Sequence, residues 1–138
     1  MNNFSIIIPA FNEEGNIEIL INEIITSIDN KKYKYEIIVV DDCSEDGTKN
    51  IIKKLSEFHK NLVILCENSS NLGQSRSIYN GIKISKYDNI LTIDGDRQNN
   101  PKDINKLLDV YYFDSEIKLV SGIRFRRKDN FIKKFSSR

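Results

Sequence analysis

The chain has 138 residues, 39% of them apolar and 30% charged, a composition ordinary for a folded globular domain and unlike that of a disordered chain. That length supports one compact domain with a real core and is short for an enzyme that must grip two substrates. The net charge of +1 hides two parts: residues 124–138 carry seven basic residues against Asp129 alone, or +6, which leaves −5 on residues 1–123.

Residues 4–9 are a short β-branched apolar run ending at Pro9, the pattern of a buried strand. Ile17, Leu20, Ile21, Ile24, Ile25 and Ile28 then recur at three- and four-residue steps, which predicts one apolar stripe on a helix of about four turns. Tyr35-Glu36-Ile37-Ile38-Val39-Val40 reads as a second strand, stopping abruptly at Asp41-Asp42. Ile51, Ile52 and Leu55 mark a second helix, capped near Asp46 or Thr48. Leu62-Val63-Ile64-Leu65 is a third strand, and a polar loop from Glu67 to Asn71 leads into a third helix over 72–86. Asn89-Ile90-Leu91-Thr92-Ile93 is a fourth strand, again ending on acid at Asp94. Pro101 opens a fourth helix with Ile104, Leu107, Leu108 and Tyr111 inward, and Ile117-Lys118-Leu119-Val120 is expected to be a fifth strand.

Strands alternating with helices predict an α/β fold, an open and mostly parallel sheet with helices on both faces. Such sheets bind ligands outside the carboxyl ends of their strands. The most unusual polar residues fall at those ends: Asn12 and Glu13 after the first strand, Asp41 and Asp42 after the second, Asp94 and Asp96 after the fourth.

Each of these pieces has two readings. Asp94-Gly95-Asp96, with Gln98 two residues on, offers hard oxygen ligands of the kind that suit Mg²⁺ or Mn²⁺. Equally, Asp in a loop forms turns and caps helices. The run from Asp41 to Thr48 either caps the second helix or presents carboxylates to ribose hydroxyls and base N–H groups. Phe11 either plugs the core or stacks on a base. There is no GxxxxGK[ST] phosphate loop and no GxGxxG, His59 reads as a surface residue, and Cys66 as a strand residue facing inward.

FSIIIPAFNEEGNI, EIIVVDDCSEDGT, NLGQSRSIYNGI, ILTIDGDRQNNPKDI and LVSGIR resemble, in order and spacing, the inverting family 2 glycosyltransferases of GT-A fold, most of all the dolichyl- and undecaprenyl-phosphate sugar transferase branch. The resemblance runs from Phe4 to at least Arg124. It implies that Pro9, Phe11 and Glu13 line a nucleotide base and ribose pocket, continued by Val40 and Asp42. It further implies that Asp94, Gly95 and Asp96 form the family's Asp-x-Asp, with Asp94, Asp96 and Gln98 the candidate metal ligands. Asp94, Asp96 and Arg124 are the implied catalytic set, Arg124 approaching the phosphates. Cys43 stands where the family usually has Gly, and Arg97 where Leu or Gly is usual; Cys43 makes a positive φ less accessible there.

The resemblance implies transfer of a sugar, with inversion, from a UDP- or GDP-sugar to a polyprenyl phosphate, with Mg²⁺ or Mn²⁺ as cofactor. Two alternatives stay open: a non-catalytic nucleotide-sugar-binding fragment, and a transferase using a saccharide hydroxyl acceptor in cell-envelope polysaccharide synthesis. Family members run well past the SGIR block, so the chain is expected to be truncated at its C-terminus. The division expected is a nucleotide-sugar-binding domain over 1–124 and a basic amphipathic tail over 125–138.

In that tail Phe131, Ile132 and Phe135 are interleaved with cations, either an interfacial helix contacting the membrane or the first turns of a longer acceptor-side segment. Nucleic acid is not an expected partner. No stretch approaches the roughly 20 apolar residues of a spanning helix, and the chain's start lacks the basic lead of a secretory leader. With Cys43 and Cys66 left unpaired, the expected setting is the cytoplasm, at the inner face of the membrane.

Overall fold

The structure is a computed structural model and describes residues 1–122; Arg124 and the basic tail lie outside the described residues. Four parallel strands form one sheet: β1 (Asn2–Ala10), β2 (Tyr33–Asp41), β3 (Val63–Glu67) and β4 (Ile90–Thr92), in the order β3-β2-β1-β4. Between them run α1 (Ile17–Ser27), α2 (Thr48–Phe58) and α3 (Gln74–Ile84), and a 3₁₀ turn at Pro101–Asp103 leads into α4 (Ile104–Tyr111). The chain divides into a compact unit Met1–Lys106, which holds the whole sheet, and a second unit Leu107–Arg138 that begins inside α4.

The register pairs Ile6 with Ile37, Ile7 with Ile38 and Ile8 with Val39, so each strand is apolar on both faces. All six of those side chains are 0% exposed, and burying each fully is worth about 1.5–3 kcal/mol. A strand apolar on both sides demands a layer on both sides. The connections β1-α1-β2 and β2-α2-β3 step in one direction along the sheet and β3-α3-β4 steps back. Right-handed crossovers therefore place α1 and α2 on one face and α3 on the other. Accordingly α1 packs on α2, while α3 lies on β1 and β2. On the α3 face Ile7, Ile38 and Val40 cluster with Ile64, Cys66, Ile78 and Ile90.

The predicted stripe on α1 is present: Ile17, Leu20, Ile21 and Ile24 are fully buried, and Ile28 nearly so. The N-cap of α2 is Gly47, with no side-chain cap hydrogen bond of its own; beside it the Asp46 carboxylate accepts from the N–H of Thr48, the first residue of the helix. Pro101 does open the last helical segment, after Asn100 Oδ1 accepts from the Lys102 N–H.

The fifth strand is a correction. Residues 117–120 are irregular, and Leu119 is 84% exposed. A β-branched or apolar run becomes a strand only when a neighbour satisfies its backbone N–H and C=O groups, and among the described residues it pairs with none.

Candidate active site at the carboxyl edge

Because β1 and β4 are neighbours although their crossovers leave in opposite directions, a crevice opens between their ends, at the switch point of the sheet. The ladder runs on past the strands, with the Asp42 N–H donating to the Ala10 carbonyl at 2.9 Å. Two loops are then fastened together. The Asn12 N–H donates to Ser44 Oγ (3.0 Å), the Glu45 N–H to Asn12 Oδ1 (2.8 Å), the Glu13 N–H to Thr48 Oγ1 (2.8 Å) and the Gly47 N–H to Glu14 Oε2 (2.7 Å). These reciprocal bonds leave the β1–α1 and β2–α2 loops little freedom to separate.

The result is an open cleft of about 240 Å³ whose walls include Pro9 and Ala10 from the end of β1, Phe11 and Glu13 from the loop after it, Asp42 from the second loop, and Asp94, Gly95 and Asp96 from the fourth. Sites far apart in the chain thus meet at one rim. Phe11 is 43% exposed and faces the cleft instead of filling the core. Gly95 is buried, and a Cβ there would stand 3.2 Å from the Pro9 carbonyl oxygen. Any side chain at 95 would therefore press on the end of β1, and the Asp-x-Asp loop or Pro9 would have to give way slightly.

The remaining sequence candidates fall elsewhere. Val40 is 0% exposed in the core beneath α3, so its side chain is not part of the cleft. Gln98 is exposed, and its backbone N–H donates to Asp96 Oδ1 at 3.0 Å. Arg124 lies outside the described residues. Arg97 pairs with Glu23 of α1 at 2.9 Å, which draws its cation to the helix.

Sequence reasoning missed three residues. Gln74 and Ser77, both on α3, also line the cleft, and Asn68 supports it from below. Asp42 is only 4% exposed, with Oδ1 accepting from Asn68 Nδ2 (2.8 Å) and the Leu72 N–H (2.7 Å), and Oδ2 from the Gly73 N–H (2.8 Å). Burial by itself would raise the Asp42 carboxyl. The Leu72 N–H, Asn68, the Gly73 N–H and the Ser77 hydroxyl together outweigh it and hold the carboxyl below its ordinary value. Asp42 is therefore a charged anchor for the loop entering α3. The signal available in the sequence was the small pair Ser77 and Gly81, one helical turn apart.

The carboxylates of Glu13, Asp42, Asp94 and Asp96 share this one cleft, and none of the described residues lining it is cationic. Such a site repels a bare diphosphate. It suits a hard divalent cation, with Asp94 and Asp96 the pair able to hold it. Among the described residues no three His, Cys, Asp or Glu side chains close around one point. A Mg²⁺-type ion needs only one or two carboxylates, its other positions being left to water and phosphate oxygens.

Three non-glycine residues on these loops have positive φ: Asn12 (53°), Cys43 (62°) and Arg97 (61°). Thus the two positions where the chain departs from the family pattern are positions where the backbone asks for glycine. Left-handed backbone costs an ordinary residue about 1–2 kcal/mol, partly offset by glycine's greater freedom when unfolded. Cys43→Gly is expected to raise stability by about 0.5–1 kcal/mol. A thermal melt checks this, and a lower midpoint would show that the Cys43 side chain contributes contacts of its own.

Fold and cleft together define a doubly wound α/β domain with an acidic cleft at the switch point of its sheet. The model of glycosyl transferase family 2 matches residues 5–138, and the chain belongs to that family. The undecaprenyl-phosphate 4-deoxy-4-formamido-L-arabinose transferase of Edwardsiella ictaluri is 31% identical over 97% of this chain and 41% of its own length. The chain thus spans about two fifths of that relative. The crystal structure of S. aureus TarS in complex with UDP-GlcNAc is similar with a TM-score of 0.63 and 26% identity, over 80% of this chain and 31% of that one. The mannosyltransferase PcManGT from Pyrobaculum calidifontis, in complex with GDP-Man and Mn²⁺, shares the fold with a TM-score of 0.69 at 22% identity, over 79% of this chain and 32% of its own. These neighbours give the chain's fold as GT-A.

Proposed function

We propose that the chain is the donor-binding part of a metal-dependent, inverting glycosyltransferase that moves a sugar from a UDP- or GDP-sugar to a polyprenyl phosphate. The observation that carries this reading is the meeting of Phe11, Glu13, Asp42, Asp94 and Asp96 in one cleft at the switch point. The polyprenyl phosphate acceptor is supported by the relative's name, and the nucleotide-sugar donor by the TarS complex.

In this reading Asp94 and Asp96 hold a Mg²⁺ or Mn²⁺ ion, which when bound supplies positive charge to the donor's diphosphate. Phe11 offers an exposed ring face to the base, and Glu13 accepts from ribose hydroxyls or base N–H groups. Asp42 keeps the wall beneath them rigid. Gly95 lets the Asp-x-Asp loop lie against β1, so that the two carboxylates and the base-side residues keep one spacing. Arg124 adds a second, bidentate counter-charge to the phosphates. A sugar hydroxyl would need a base to take its proton. A polyprenyl phosphate is already anionic at neutral pH, so this acceptor asks only to be positioned. The basic tail, with Phe131, Ile132 and Phe135, is the segment proposed to meet the inner face of the membrane. Among the described residues, no helix is long and apolar enough to cross one.

Calorimetry with UDP- and GDP-sugars, with and without Mn²⁺, tests the proposal on the wild type and on Asp96→Ala. Metal-dependent binding of one donor is expected, weakened at least about tenfold by the substitution. Equal binding by both proteins would remove Asp96 from the metal site.

A further inference from the structure

We propose that Gln74 is a positioning residue for the Asp94–Asp96 pair, holding the Asp94 carboxylate in a single orientation for a divalent cation. The inference rests on the metal-binding reading above. Gln74 is the first residue of α3, and its Nε2 donates to Asp94 Oδ1 at 2.6 Å, across twenty positions of sequence.

With Oδ1 bonded, rotation of the carboxylate is opposed, and Oδ2 is left for a ligand. A carboxylate left to swing would lose that freedom on each binding event, at a cost in affinity. The donor is also the right chemical type. A lysine or arginine at 74 would orient Asp94 equally well but would repel the cation, whereas an amide carries no charge. The same logic governs metal ligands generally, whose hydrogen-bonded outer partners fix the geometry of the inner ones.

What makes Gln74 a fixed support is the backbone beneath it. Its neighbours Leu72 and Gly73 donate both N–H groups to Asp42, at 2.7 and 2.8 Å. One turn further on, the fully buried Ser77 donates to the Gly73 carbonyl at 2.9 Å and accepts from Asn68 at 2.9 Å. Asn80 in turn donates to Asn68 Oδ1 at 2.9 Å. Gln74 is thus held at the head of a helix whose two lead-in residues are bonded to Asp42, and it bridges the base side of the cleft to the metal side. Its own side chain is exposed, so replacing it removes no core packing.

The test is a double-mutant cycle on the full chain, reading by calorimetry the gain in affinity for UDP and for GDP on adding Mn²⁺. Wild type, Gln74→Met, Asp94→Ala and the double variant are compared, with thermal melts as the check on folding. Gln74→Met is expected to melt with the wild type and to lose about tenfold of the Mn²⁺-dependent gain. On the Asp94→Ala background the same change should matter less than about twofold, because the two residues act through one bond. A Gln74→Met protein equal to wild type, or losses that simply multiply in the double variant, would overturn the positioning role while leaving the metal site standing. A wild type whose binding of both nucleotides ignores Mn²⁺ would overturn the metal reading, and this inference with it.

Discussion

Asp42→Ala is expected to destabilise the domain by roughly 3 kcal/mol, because it strips the acceptor from three donors at once. The Leu72 and Gly73 N–H groups and Asn68 Nδ2 all end on this carboxylate, which is only 4% exposed. A buried donor left without an acceptor costs about 1–3 kcal/mol; Asn68 is buried, while the Leu72 and Gly73 N–H groups are part-buried and reachable by water, which keeps the sum near the lower end. Asp42→Asn should fall between, since one of its two positions becomes a donor facing the Gly73 N–H.

The effect also has a pH signature. The Asp42 carboxyl is lowered in the folded state, and its unfolded value is about 3.9. A depressed carboxyl contributes stability that is fully present above the unfolded value and is lost as pH falls through the folded one. The gap in urea midpoint between wild type and Asp42→Ala is therefore widest near neutrality and closes below about pH 4. A gap unchanged between pH 7 and pH 3 would mean that Asp42 contributes by shape and not by charge.

Gly81→Val should be comparably severe, for a steric reason. α3 lies so close to the sheet that a Cβ at 81 would stand 2.6 Å from Ile7 Cγ2 and 3.1 Å from Val40 Cγ2. Neither neighbour has space to withdraw: both are 0% exposed. Overpacking of a filled core costs about 1–3 kcal/mol, and the full figure applies here, for a fall in Tm of about 10 °C. If α3 instead tilts to make room, Gln74 leaves Asp94, and nucleotide binding drops with stability. Combining Gly81→Val with Ile7→Ala separates the two. The 2.6 Å clash with Ile7 Cγ2 vanishes in the double variant while the 3.1 Å approach to Val40 Cγ2 stays, so the combined loss should be smaller than the sum of the single losses. Strict additivity would count against the close approach of helix and sheet.

Glycine at 81 and serine at 77 also show where sequence reading stops. Both were visible as small residues a turn apart, yet nothing local says that this face of α3 is the one pressed on β1 and β2. The fifth strand failed for a related reason. Ile117 to Val120 has the composition of a strand, but composition supplies side chains, and a strand is made by a backbone partner. The α1 stripe and the apolar cores of β1 and β2 were legible because burial on one or both faces writes itself directly into periodicity.

The candidate site divides in the same way. That Asp42, Asp94 and Asp96 should share a rim followed from two rules that need no coordinates: acid directly after a buried strand, and ligands at the carboxyl ends of a parallel sheet. What each carboxylate does there depended on contacts. Asp42 holds the entry to α3, Asp94 is held by Gln74, and Arg97 is drawn to Glu23.

By itself, the amino-acid sequence determined the alternation of strands and helices, the end of the sheet where acidic residues gather, and the family to which the chain belongs. These depend on side-chain pattern along the chain, and pattern is what a sequence records. Only the tertiary structure decided the order β3-β2-β1-β4, the closeness of α3 to the sheet, and which donors settle on which carboxylate. Those depend on distances between residues from 20 positions apart, as Gln74 and Asp94, to 85 apart, as Ser5 and Ile90, which the packing of whole elements sets and no local preference encodes.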